Sequence, residues 1–286
     1  MAVKTLVTHS RGSPRKWLDT KALKEISGIC PALSSLSIHV YGERDLKLTP
    51  LYGFKKLSDL RLYGVSCRPV APLENLRSLS LSGHESTKTF CFNQNPIHLP
   101  SLRYLALSNT ESAFHGRPLL ENSILIRQLP LLDAWSIELA GLVDACSSGG
   151  TSILRPLLYH ALVDCPMSSR YSNPAVSSTL KMVEHVRLIY TFNVMFRNVA
   201  ISDFTSVPTS LSLQPLLRTV YLNPRPEDGI KVDKVHEEVV QEVKRVCEGK
   251  GVEVVFEEQP RDTYTDATVS EEFWRRMKLE RQRDGR

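Results

Sequence analysis

Cysteine with histidine is the pairing that makes a thiol nucleophile and its base, and this chain places His160 five residues before Cys165. Such a pair is defined in space, so proximity along the chain assigns it no role. Asp144 and Asp164 lie close to Cys146 and Cys165, a set of types that ligates metals. Yet the six cysteines (Cys30, Cys67, Cys91, Cys146, Cys165, Cys247) contain no C-x-x-C pair, the spacing that marks zinc sites and many disulfide frameworks. G-x-S-x-G, P-loop and H-E-x-x-H motifs are also absent, so none of their chemistries is indicated. The sequence predicts no enzyme: no catalytic residue, no metal ligand and no cofactor. A Cys165/His160 enzyme is the lowest-ranked alternative.

The other chemistry on offer is recognition. Arg and Tyr dominate interface energetics, and here they recur beside a repeated apolar pattern. Leu76, Leu79 and Leu81 are spaced L-x-x-L-x-L; so are Leu57, Leu60 and Leu62, and Leu102, Leu105 and Leu107. Residues two apart on a strand face the same side. The last two leucines of each unit therefore point into a core, and the first enters it from the preceding turn. The residues between them point the other way. Read off in this manner, the candidate partner-binding residues are Arg61, Tyr63, Ser80, Tyr104, His185, Arg187 and Tyr221.

The elements that hold these positions follow from the same pattern. Weaker units appear at Leu33-x-x-Leu36-x-Ile38, Leu132-x-x-Trp135-x-Ile137, Val183-x-x-Val186-x-Leu188 and Leu217-x-x-Val220-x-Leu222. Unit starts at 33, 57, 76, 102, 132, 183 and 217 leave gaps of 24, 19, 26, 30, 51 and 34 residues. The gap of 51 holds an insertion (about 140–175) or a concealed unit, with Ile153–Val163 read as a helix in preference to a degenerate strand. Residues 2–8 read as a first strand and Lys21–Ile29 as a helix that stops at Cys30-Pro31, since proline cannot continue it. Val235, Val239, Val243 and Val246 give Asp233–Glu248 one apolar helical face. Gly249 and Gly251 stop that helix before an alternating strand at Val252, Val254 and Phe256. Past Pro260, Thr268-x-x-Glu271 reads as a capping box for a helix over Glu272–Gln282. That helix is expected to close the open end of the repeats.

The totals are permissive. A net charge of +5, from 36 basic and 31 acidic residues in 286, is too mild to point to nucleic acid. The apolar stretch Ser123–Cys146 is broken by Arg127, Gln128, Asp133 and Glu138, so no membrane contact is expected. The expected location is intracellular, cytoplasmic or nuclear.

The units resemble the leucine-rich-repeat family, most strongly over Leu57–Leu62, Leu76–Leu81 and Leu102–Leu107. Where that family carries asparagine or cysteine after the last leucine, this chain has Val65, His84 and Thr110. The entry Cys30-Pro31-Ala32-Leu33 and the final Gly251-Val252-Glu253-Val254 strand after a long helix are similar to the repeat portion of fungal F-box proteins. The resemblance implies an α/β fold: an irregular leucine-rich-repeat solenoid, or horseshoe, with a parallel sheet on its concave face. It spans residues 1–260, followed by a basic C-terminal tail or capping helix at 261–286. The implied function is a scaffold that binds a protein partner through the concave face. The alternative is a substrate-recognition subunit working with ubiquitin-ligase components, in a truncated relative, because no F-box segment precedes the repeats.

Overall fold

The structure, a computed structural model, describes residues 4–10, 20–40, 49–63, 73–82, 99–108, 131–166, 174–189, 206–222, 234–257 and 270–284. The paired apolar residues do form strands. In chain order these are β1 (Thr5–Ser10), β2 (Ser35–Val40), β3 (Asp59–Tyr63), β4 (Ser78–Ser82) and β5 (Tyr104–Ser108). They continue as β6 (Ala134–Glu138), β7 (Ala161–Pro166), β8 (His185–Ile189), β9 (Thr219–Leu222) and β10 (Glu253–Phe256). All ten lie in one sheet, parallel to their neighbours and in sequence order. The protein is α/β.

The unit-opening residues have a common local geometry. The amides of Leu33, Leu57, Leu76, Leu102 and Val183 each donate to the carbonyl three residues back, at 3.1–3.3 Å. Each thus closes a tight turn and drops its side chain into the core, where all five are buried. The next two amides then share one carbonyl of the previous unit: Ser34 and Ser35 on Lys4, Ser58 and Asp59 on Ser34, Arg77 and Ser78 on Ser58, Arg103 and Tyr104 on Arg77. This repeated pairing locks each strand to its neighbour before the ladder begins.

One face of the sheet carries Leu36, Leu60, Leu79, Leu105, Trp135, Val163, Val186 and Val220, among others, in a single core cluster. The returning segments bury Leu23, Leu51, Leu142, Leu158, Val176, Leu211 and Val243 in that same cluster. Those segments include α1 (Thr20–Ile29), α2 (Leu139–Ala145), α3 (Thr151–Leu154), α4 (Pro174–Leu180), α5 (Ser206–Ser212) and α6 (Lys234–Lys250). Each leucine fully removed from water contributes about 1.5–3 kcal/mol before entropy is counted. Gly251, at φ +69°, ends α6 in the left-handed conformation that a side chain resists. Lys250 then reaches the carbonyls of Ser212 (2.6 Å) and Gln214 (2.9 Å), tying α6 to the end of α5.

Two expectations change. In the long gap after Leu132, the helix expected over Ile153–Val163 extends only to His160, and a strand, β7, begins at Ala161. Its inward residues Ala161, Val163 and Cys165 are small, so no leucine announces it. A 3-10 turn, Arg155–His160, leads into it. The terminal helix α7 (Glu271–Arg283) begins one residue early, and its N-cap is Ser270, whose Oγ accepts from the Phe273 amide at 3.1 Å. Thr268 lies outside the described residues. α7 does not sit at an end of the sheet. Phe273 and Met277 pack against Tyr104, Ala106, Ala134, Leu162, Tyr221 and Val255, all on the sheet face opposite the main core.

Candidate functional site

The strand register arranges the candidate residues in rows. One row reads Ser37, Arg61, Ser80, Ala106, Ser136, Leu162, His185, Thr219, Glu253. Another runs Glu138, Asp164, Arg187, Tyr221, Val255. Tyr104 lies in a third, with Ser78 and Ala134. Matching units by sequence would put His185 level with Tyr104. The structure moves it one row along, level with Ser80, because Leu162 of β7 pairs both Ser136 and His185.

Four of the seven candidates meet beneath α7. The helix runs diagonally from the C-terminal end of β10, where Ser270 donates to Glu257, to the start of β6, where Arg281 donates to the Leu132 carbonyl. Phe273 sits between His185 (centroids 5.3 Å apart) and Tyr221 (5.8 Å, edge-on). Trp274 lies 5.9 Å from the Tyr104 ring. Tyr104 and Tyr221 are 0% exposed, His185 3% and Arg187 5%, so these side chains are covered, where an open surface was expected. The apolar pair Phe273 and Met277 needs an apolar contact, and the aromatic faces opposite β5, β8 and β9 supply one.

The other candidates stand apart. Arg61 is half-buried and pairs with Asp59 on its own strand, Nε to Oδ2 at 3.2 Å. Asp59 Oδ2 also accepts from Ser35 at 2.8 Å. Ser80 is buried in β4. The Tyr63 backbone pairs with His39 and Ser82, while its side chain lies outside the described residues.

Three ionisable groups that pattern reading did not bring together meet at the centre. Arg187 donates to both oxygens of Asp164, at 2.8 and 2.7 Å, and its third nitrogen lies 3.8 Å from Glu257. Burial opposes the guanidinium charge, but Asp164 outweighs it and raises the Arg187 pKa. Burial pushes both the Asp164 and Glu257 carboxyls up from their usual range, against the pull of Arg187. Burial also lifts the Tyr104 hydroxyl to about 12. It lowers His185 to about 4, helped by repulsion from Arg218, His160 and Arg276. His185 is therefore neutral at pH 7.

The rim is charged. Arg276 makes a bidentate pair with Glu253 at 2.6 and 2.8 Å and also holds Glu272. Arg281 and Arg103 both approach Asp133, at 3.4 and 3.5 Å. Inside the rim, the Tyr104 hydroxyl interacts with Ser136, while the Tyr221 hydroxyl, His185 Nδ1 and Trp274 Nε1 are buried without a hydrogen-bond partner. Each such unpartnered atom costs about 1–3 kcal/mol relative to a satisfied one.

No protein-family model matches the chain, and no curated protein is significantly similar to it in sequence.

The catalytic alternatives do not assemble. Cys165 is buried in the leucine core, while His160 precedes the start of the same strand and is about 16 Å away at the usual strand rise. Asp164 is committed to Arg187. Among the described residues no three His, Cys, Asp or Glu side chains are placed to share a metal ion. Among them, too, no helix is long and apolar enough to cross a membrane. What this face does chemically is hold an amphipathic helix, through aromatic contacts at the centre and ion pairs at the edge.

Proposed function

We propose that the chain is an irregular leucine-rich-repeat solenoid that acts as a protein-interaction scaffold, and that the sheet face opposite the leucine core is its binding surface. Support for the repeat architecture comes from sequential parallel strands, of which β2–β5 are all opened by the same tight turn and the same paired backbone contact. Stacked units of this kind present one extended face to partners. The observation that carries the binding role is α7 itself: this face already holds a peptide element through Phe273 and Met277. The role is one of recognition rather than catalysis.

Affinity capture with the wild-type chain and with an Arg61→Glu/Tyr104→Ala variant tests the reading. Both baits are first checked for fold by circular dichroism. A protein identified by mass spectrometry, reconstituted with the purified wild-type chain and lost with the folded variant supports the assignment. Partners held equally by both baits would place binding elsewhere and sink it.

A further inference from the structure

α7 is a poor fit for a permanent piece of core. Only Phe273 and Met277 of its thirteen residues are buried. Leu279 is 48% exposed, and Glu271, Arg275, Lys278, Glu280, Gln282 and Arg283 face solvent. A helix this short is marginal by itself, so its folding depends on the surface beneath it. Beneath it the Tyr221 hydroxyl and His185 Nδ1 have no hydrogen-bond partner, and neither has Trp274 Nε1 on the helix itself.

The face also has a direction. Glu257 lies at the α7 N-terminus, where it accepts from the capping Ser270 and where a negative charge complements the helix dipole. Asp133 lies at the other end and meets Arg281; Glu253 lies between and meets Arg276. Two arginines of the occupant, Arg276 and Arg281, thus meet acidic groups of the receptor. The pattern read is Ser270, Phe273, Arg276, Met277, Arg281: a capping serine, an aromatic three residues on, a methionine four further, and arginines on the flank.

We propose that the sheet face over β5–β10 is a receptor for a basic amphipathic helix of a partner protein carrying this Ser/Phe/Arg/Met/Arg pattern, and that α7 is a resident occupant which the partner helix displaces. The proposal rests on the reading of this face as the protein-binding surface and specifies what it binds. Because α7 belongs to the same chain, its contact with this face is intramolecular and has a high effective concentration. A partner must overcome that, so the undisturbed chain is autoinhibited.

A fluorescein-labelled peptide of residues 268–286 tests the receptor directly. It should bind the full chain carrying Phe273→Asp/Met277→Asp at least tenfold more tightly than the wild-type chain, and a Phe273→Ala peptide should fail to compete. If the double variant does not fold, Arg276→Glu/Arg281→Glu, which weakens only the rim, should give the same direction. No binding to either folded variant overturns the proposal. If capture that is lost with Arg61→Glu/Tyr104→Ala persists while the peptide does not bind, the protein-binding reading stands and the helix receptor falls. A wild-type chain that runs as a dimer the peptide cannot compete with assigns the face to the helix of a second copy, again against the proposal.

Discussion

The Phe273 ring stands edge-on to Tyr221, centroids 5.8 Å apart and planes at 88°. This contact joins the terminal helix to β9, the strand next to the sheet edge. Edge-to-face pairs add about 0.5–1.5 kcal/mol beyond the area they bury. Phe273→Ala removes that contact and the packing on His185, and truncation of a fully buried phenylalanine costs about 3–5 kcal/mol. The expected outcome is release of α7 with the sheet intact. The half-buried Trp274 then emits further to the red, while far-UV circular dichroism falls by no more than one short helix. Loss of all structure in that variant would mean that α7 is part of the core.

Arg187 and Asp164 form a buried two-pronged pair, and removing one member strands the other. Arg187→Met alone should cost about 3–5 kcal/mol by denaturant unfolding. Arg187→Met/Asp164→Leu should recover most of that loss, since replacing both charges by apolar groups is often neutral. Additive losses in the double variant would contradict the assigned geometry.

His185 sets an acid limit. Its pKa lies near 4 when buried and near 6.5 when exposed. Between those values the unfolded or undocked chain binds the extra proton, so stability from this group is complete above about pH 6.5 and falls as pH drops towards 4. The shift amounts to at most about 3 kcal/mol. Asp164 and Glu257, both raised, act in the opposite sense over the acid range, because the native state holds their protons more tightly. The wild type must therefore be compared with His185→Gln. The variant should lack the component that declines from pH 6.5 to 4, and parallel stability curves would refute the assignment.

Arg276 and Glu253 sit at the exposed rim, where ion pairs contribute about 0–1 kcal/mol and are screened by salt. Arg276→Glu should loosen α7, seen as faster tryptic cleavage near residues 258–270. Adding Glu253→Arg should restore the slower rate at low salt. No rescue would show that the two charges do not meet in solution.

Much of the sheet is legible in the chain. Leu60/Leu62, Leu79/Leu81 and Leu105/Leu107 declare their strands because two leucines at period 2 suit a strand buried on that face. β7 is not legible, since Ala161, Val163 and Cys165 fill its inward positions and a small residue carries no periodic signal. Missing β7 also hides the row shift that brings Arg187 beside Asp164. Phe273 and Met277 predict an amphipathic helix, and one exists. The same pattern would cap a sheet end or cover a sheet face, because the stripe states only that it needs apolar contact. The aromatic residues Tyr104 and Tyr221 were the available clue: on an open parallel sheet they would leave a large apolar patch exposed.

The central claim is that α7 and a protein partner compete for one face. Amide hydrogen exchange of Glu271–Arg283, measured on the full chain alone and with a saturating purified partner, tests it most directly. Competition predicts slow exchange in the free chain and fast exchange throughout α7 in the complex, with β5, β8 and β9 still protected. Unchanged protection of α7 in a saturated complex would show that the partner binds elsewhere, and the account would be wrong.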